Sequence, residues 1–313
     1  MKNNEEPKEK GLMWYFHPNE IVRLMRAKIY NDIDENVNFT PSYNKDNLKI
    51  GVVIGTNGSV PYIDLGLHFL IVENEIKNIL IHDDGSSDVD KLQKLANYYN
   101  SNYNTKVEVY STGKNLWHKS SVGSVGDQSC FTIGLLWAKQ NKFDLLIKFS
   151  RRLIPCYRWI DDFKELVIKS DGITFSSYCT RDKFPFRTEL IGMNVNAWSN
   201  DYVINMYTWF IKNDFTVFAE FYMDQVAKIL DYYNYSEKYE KWKKEKEHRH
   251  GFLTSGYVHW YDILGTNRFS NENRKNDKIL WHGFKKEEDY LKISKSVFGD
   301  KYTLDDFKNI VNI

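Results

Sequence analysis

Between Lys49 and Phe149, short apolar runs alternate with segments whose apolar residues recur at helical spacing. The runs are Lys49–Gly55 (Lys-Ile-Gly-Val-Val-Ile-Gly), Asn78–His82, Val107–Tyr110 and Phe143–Phe149. Each has the length of a strand, and all but Val107–Tyr110 are apolar without strict alternation, as expected of strands buried on both faces. The segments between them, Tyr62–Asn74, Asp90–Asn100 and Gln128–Gln140, carry the helical period; the last places Phe131, Ile133, Leu135, Leu136 and Ala138 along it. Strands joined by helical crossovers form βαβ units, because neighbouring parallel strands cannot be linked by a tight turn. The expected class is therefore α/β, a Rossmann-type, mostly parallel central sheet flanked by helices.

Past Pro155 the pattern is mixed. Trp159–Lys169, Tyr202–Lys212 and Glu220–Tyr232 read as helices, and Gly172–Ser177, Leu190–Trp198, Phe252–Ile263 and Ile279–Gly283 as strands. Tyr235–His250, rich in lysine and glutamate, reads as a solvated helix face. No internal repeat is present. Three regions are expected: residues 1–47 as a polar tail and a helix, 48–200 as a ligand-binding half, and 201–313 as a second half of the same globular unit. In the first region, Ile21, Leu24, Met25 and Ile29 share one face of a short helix over Pro18–Asn31, with Arg23, Arg26 and Lys28 around it. Such a helix either docks on the main domain or makes a peripheral contact with a membrane surface or a partner.

Composition narrows the function. A net charge of +1 gives no basis for a nucleic-acid partner. No apolar stretch is long enough to span a bilayer, and Met1–Lys10 has no apolar core of the secretory kind. The three cysteines, Cys130, Cys156 and Cys179, form no CxxC pair; a reduced, cytoplasmic protein is the expectation.

In parallel sheets, ligands bind outside the carboxyl ends of the strands. The segments to read for chemistry are Thr56-Asn57-Gly58, Asp83-Asp84-Gly85, Ser111–Asn115 and Ser150-Arg151-Arg152. The first lacks the GxGxxG order of a dinucleotide site, and no Walker lysine motif exists, which argues against a nicotinamide enzyme or a P-loop NTPase. The turn Asp83-Asp84-Gly85-Ser86-Ser87-Asp88 offers carboxylates at a strand end, a glycine for the tight turn, and a serine to cap the next helix.

These features resemble a GT-A-fold glycosyltransferase, closest to family 2, over about Lys49–Pro155. The resemblance implies that Thr56, Asn57, Asp83 and Asp84 hold the nucleoside of a nucleoside diphosphate sugar. It also implies an Asp-x-Asp metal motif after the fourth strand. By register with Leu153-Ile154-Pro155 that motif falls on Ser150-Arg151-Arg152, so the aspartates are absent. Arginine binds phosphate oxygens in bidentate fashion and repels a divalent ion. The expectation is transfer without a metal cofactor, with Arg151 and Arg152 on the diphosphate, reinforced by Lys148, Arg158, Arg181 and Arg187.

The family supplies a general base from an acidic motif in the second half. Glu220 and Asp224, four apart on one helical face, match it in position; Asp161-Asp162 is another acidic pair. His282 resembles a late histidine that touches the diphosphate in some GT-A enzymes, although a lone histidine beside tryptophan, as His259 and His282 both are, is more often structural. The loop Lys114–Asp127 is long enough to contact the donor, with Asp127 open to a second reading as a helix N-cap. The expected activity is an inverting transfer to a glycan or lipid-linked acceptor. The alternative is a catalytically silent GT-A domain that binds glycans or a partner. A nucleotidyltransferase is disfavoured because that class needs a metal.

Overall fold

The computed structural model describes residues 47–115, 124–151, 154, 160, 174–178, 186–195 and 287–308. It carries a six-stranded sheet in the order β3-β2-β1-β4-β6-β5. The strands are β1 (Ile50–Thr56), β2 (Asn78–Asp83), β3 (Lys106–Ser111), β4 (Leu145–Ser150), β5 (Thr174–Tyr178) and β6 (Phe186–Asn194). β1 pairs in parallel with both β2 and β4, and β2 in parallel with β3. β6 runs antiparallel to both β4 and β5, with a register shift between Ser176 and Ser177. The α/β class and mostly parallel sheet are therefore as expected. β6 begins four residues earlier than Leu190, the start read from the sequence.

The first three crossovers are α1 (Val60–His68, continued by a π-helical turn Phe69–Glu73), α2 (Val89–Asn102) and α3 (Ser124–Gln140). The two faces of the sheet differ. On one, Val52, Ile54, Ile79, Ile81, Val107, Leu145, Ile147 and Phe149 pack with Ile63, Leu67, Leu92 and Leu95 of α1 and α2 into a dry core. The other face lies under α3 and mixes small and polar groups with apolar ones, Val53, Trp137 and Phe143 among them. Cβ atoms added to Gly55 and Gly134 would reach Cys130 at 3.0 Å and Val53 at 2.6 Å. Helix and sheet thus approach closely there. Cys130 is buried, and desolvation pushes its thiol up to about 12, so it is inert packing.

Two further helices, α4 (Glu287–Phe298) and α5 (Leu304–Lys308), with a 3₁₀ turn over Gly299–Lys301 between them, dock on α1. Tyr62 of α1 meets the Tyr290 and Phe307 rings at 4.7 and 5.1 Å and donates its hydroxyl to the Phe307 carbonyl at 3.1 Å. At the α5 start, Thr303 N–H and hydroxyl both donate to the Asp306 carboxylate, at 2.7 and 2.8 Å. Among the described residues no helix is long and apolar enough to cross a membrane. The expected helix over Pro18–Asn31 lies outside the described residues.

Candidate functional site

The chain leaves β1 toward β2 on one side and returns in β4 on the other, so the strand order reverses between β1 and β4. A crevice opens at such a switch point, at the carboxyl ends of the strands. Here those ends are Thr56, Asp83 and Ser150, each the last residue of its strand rather than the first of a turn.

Asp83 is fully buried. Its Oδ1 accepts the Gly58 N–H at 3.2 Å, and its Oδ2 accepts the Ser86 N–H and the Ser111 hydroxyl, both at 2.9 Å. The carboxylate therefore ties together the turns after β1 and β2 and the end of β3. The resemblance implied a direct contact between Asp83 and a nucleoside; the structure places it in the framework beneath the surface. Ser86 does not cap α2, whose first residue is Val89; its hydroxyl accepts the Asp88 N–H at 3.1 Å.

Asp84 is the next layer out and is 7% exposed. Its N–H donates to the Thr56 carbonyl at 2.8 Å, and its carbonyl accepts Asn57 Nδ2 at 2.6 Å. Its carboxylate lies against Gly126 in the first turn of α3, where a Cβ would overlap Oδ2 and lie 2.9 Å from Cγ. A helix N-terminus is a favourable place for a carboxylate. Gly85 follows at φ 62°, and a Cβ there would stand 2.5 Å from the Asn115 nitrogen, so only glycine fits this turn. The Thr56 hydroxyl donates to the Gly58 carbonyl, bending the β1 turn over Asp83.

Across the crevice, Arg151 donates from Nη1 to the Asn57 carbonyl at 3.0 Å, and its N–H reaches the Gly55 carbonyl at 3.4 Å. The two sides of the switch point are thereby joined by a guanidinium. Lys148 does not join it. Its side chain turns under α3 and pairs with Asp127 at 2.5 Å while only 2% exposed. Asp127 is not the N-cap, because α3 starts at Ser124. Arg187 lies on β6, three residues beyond the last β4–β6 pair (Phe149↔Leu190), on the carboxyl edge of the sheet. Arg152, Arg158, Arg181, Asp161, Asp162, Glu220, Asp224, His259 and His282 lie outside the described residues.

Two neighbours of the site escaped the sequence reading. His82 precedes Asp83, is buried, and shares a 3.0 Å hydrogen bond between Nε2 and Ser129 Oγ. Desolvation lowers its pKa to about 4, so the ring is neutral. Tyr110 stacks on it at 5.7 Å. A histidine inside an otherwise apolar strand was the available signal for both Ser129 and Tyr110.

No family model matches the chain, and no curated protein matches it. Among solved structures it is similar to the galactosyltransferase LgtC in complex with donor and acceptor sugar analogs. The identity is 11%, over 56% of this chain and 70% of that one, with a TM-score of 0.40. It is also similar to the apo-form glycosyltransferase GlyE of Streptococcus pneumoniae TIGR4, at 14% identity and a TM-score of 0.43. That match covers 64% of this chain and half (50%) of the pneumococcal one. A third is a cytidylyltransferase from Leptospira borgpetersenii, at 13% identity, covering 61% and 74%, with a TM-score of 0.35. Likenesses this distant carry no weight for function, which has to be argued from the site itself.

Proposed function

We propose that this chain is a glycosyltransferase of the GT-A kind, and that its donor, a nucleoside diphosphate sugar, binds at the β1/β4 switch point. The observation that carries the reading is the Arg151 guanidinium set 3.0 Å from the Asn57 carbonyl, at the carboxyl ends of parallel strands. Nucleotides bind at such a crevice, and a planar, permanently charged fork suits diphosphate oxygens. Thr56, Asn57 and Asp84 form the nucleoside side of the pocket, with Asp83 holding their turns in place. Ser150, Arg151 and Arg152 form the diphosphate side.

The GT-A resemblance implies a divalent metal on that diphosphate. The residues at the strand end do not fit one: Ser150 offers a hydroxyl and Arg151 a cation, where anionic oxygen ligands are needed. In this reading the acceptor hydroxyl attacks the anomeric carbon, and the bond to the diphosphate oxygen breaks with its electron pair. The arginines stabilise the leaving charge. The acceptor's proton passes to a carboxylate, for which Glu220 or Asp224 is the candidate, and His282 is a further candidate on the diphosphate.

The test is a thermal-shift panel of nucleoside diphosphates and sugar nucleotides with EDTA and with Mn²⁺, followed by donor turnover. One nucleotide class should raise Tm, since a ligand bound only by the native state stabilises it. Turnover should survive EDTA and fall about 100-fold in Arg151→Ala or Arg152→Ala. Strict dependence on Mn²⁺ sinks the arginine role, and no stabilisation by any nucleotide sinks the donor site. The absence of carboxylates at the end of β4 also favours a second reading, a silent nucleotide-binding module. Binding without turnover against every donor and acceptor would select it.

A further inference from the structure

Lys148 sits in the middle of β4, paired in register with Val53 of β1, and is 2% exposed. An apolar side chain would fill this place, as Val53 does beside it. Burying an ammonium group has a large desolvation cost even when it is paired. The pair it makes, with Asp127, is therefore a specific tie between the centre of the sheet and the first turn of α3. That turn is the one that touches the candidate site. Gly126, adjacent to Asp127, presses on the Asp84 carboxylate. The Asp84 main chain then fixes both Thr56, through its N–H at 2.8 Å, and Asn57, through its carbonyl at 2.6 Å. Asn57 in turn receives Arg151. The contacts form a closed circuit from β4 through α3 and the β2 turn to the β1 turn, and back to the end of β4.

We propose that Lys148 is a positioning residue for the donor site: through Asp127 it sets where the first turn of α3 lies, and so holds Asp84 and Asn57 in their binding geometry. It touches no ligand and contributes no charge to the diphosphate. The proposal rests on the donor-site reading above, and the experiment separates the two.

Lys148→Met, Lys148→Arg and Asp127→Asn are compared with the wild type in two measurements. The first is peptide-level hydrogen exchange without ligand. Exchange over residues 55–58 and 83–86 should accelerate at least about tenfold in Lys148→Met and Asp127→Asn, with protection retained in the core of β1 and β2. Lys148→Arg, which keeps the charge, should recover most of the difference. The second is the Kd for whichever of UDP, GDP, CDP or ADP stabilises the wild type most, which should rise about tenfold in Lys148→Met. If Lys148→Met fails to fold, Asp127→Asn gives the same readout with nearly unchanged volume. Unchanged exchange at the two turns overturns the proposal, as does a uniform loss of protection across the sheet, which would mark a purely structural pair. An unchanged Kd in a variant with loosened turns also overturns it. If the wild type binds none of the four nucleotides, the donor-site reading and its Lys148 extension both fall, while the exchange pattern still reports whether the circuit exists.

Discussion

Asp83 shows how one side chain can determine a site without lining it. Its two oxygens take hydrogen bonds from Gly58 and Ser86, in the turns after β1 and β2, and from Ser111 at the end of β3. Hydrogen bonds to an ionised group are the stronger kind, about 1.5–3 kcal/mol each, and a buried donor left without a partner adds a desolvation cost. Asp83→Asn removes the charge and turns an amide N–H toward at least one existing donor. The expected loss of stability is about 2–3 kcal/mol, read as a lower urea midpoint at an unchanged m-value. A midpoint within error of the wild type would mean that the turns do not depend on this carboxylate. An Asp at the end of a strand was evident in the sequence. Whether its oxygens faced a ligand or the main chain was not, because that depends on partners 25 and 28 residues away.

At the scale of elements, the layer between α3 and the sheet holds buried polar groups among apolar ones, where the opposite face is apolar. His82, Ser129 and the Lys148–Asp127 pair all lie in it. The buried His82 ring carries a pH signature. Its folded pKa, about 4, is below the ordinary 6.5 because burial disfavours the imidazolium. The unfolded chain therefore takes up a proton that the folded chain refuses. The stabilisation is complete above the unfolded value, declines as the pH falls from 6.5 toward 4, and is absent below. At about pH 5 the loss is about 2 kcal/mol. His82→Gln, which does not titrate, should narrow the gap in Tm between neutral and mildly acidic buffer. An equal gap in wild type and variant would assign the acid sensitivity elsewhere. The apolar runs and helical periods made the strands and the three crossovers legible. The buried polar groups of this layer were not, because the partners meet only when α3 is laid on the sheet.

At the scale of the molecule, residues 287–308 are fastened to α1, and Tyr290 and Phe307 share a buried cluster with Tyr62, Leu65 and Ile154, three residues past Arg151. Asp64, fully buried, accepts Tyr99 at 2.9 Å, Lys301 at 2.7 Å and Tyr302 at 2.8 Å. Burial, then the Asp64 carboxylate, pushes the Tyr99 and Tyr302 phenols well above their ordinary range, so both stay as donors. Asp64→Ala leaves Lys301 without this partner and removes the carboxylate that accepts the Tyr99 and Tyr302 hydroxyls, while the residue-64 carbonyl still accepts Tyr99 at 3.1 Å. A loss of about 1–3 kcal/mol is expected from the lost hydrogen bonds, because Lys301 is 47% exposed and stays solvated. Limited proteolysis should cut first within the 287–308 segment. Intact protection of that segment in the variant would show that the aromatic contacts of Tyr62, Tyr290 and Phe307 suffice alone.

The sequence by itself determined what short windows can carry: the strand runs, the helical periods, the polar strand ends and Gly85 in its turn. Each depends on neighbours within a few residues, where backbone sterics and periodicity act. The tertiary structure alone decided the pairing of β6 between β4 and β5, the withdrawal of Lys148 from the crevice to Asp127, and the closing of Arg151 on Asn57. It also decided the docking of the carboxy-terminal helices. Those outcomes rest on partners up to 245 residues apart, and which buried polar groups meet is settled only when the layers pack.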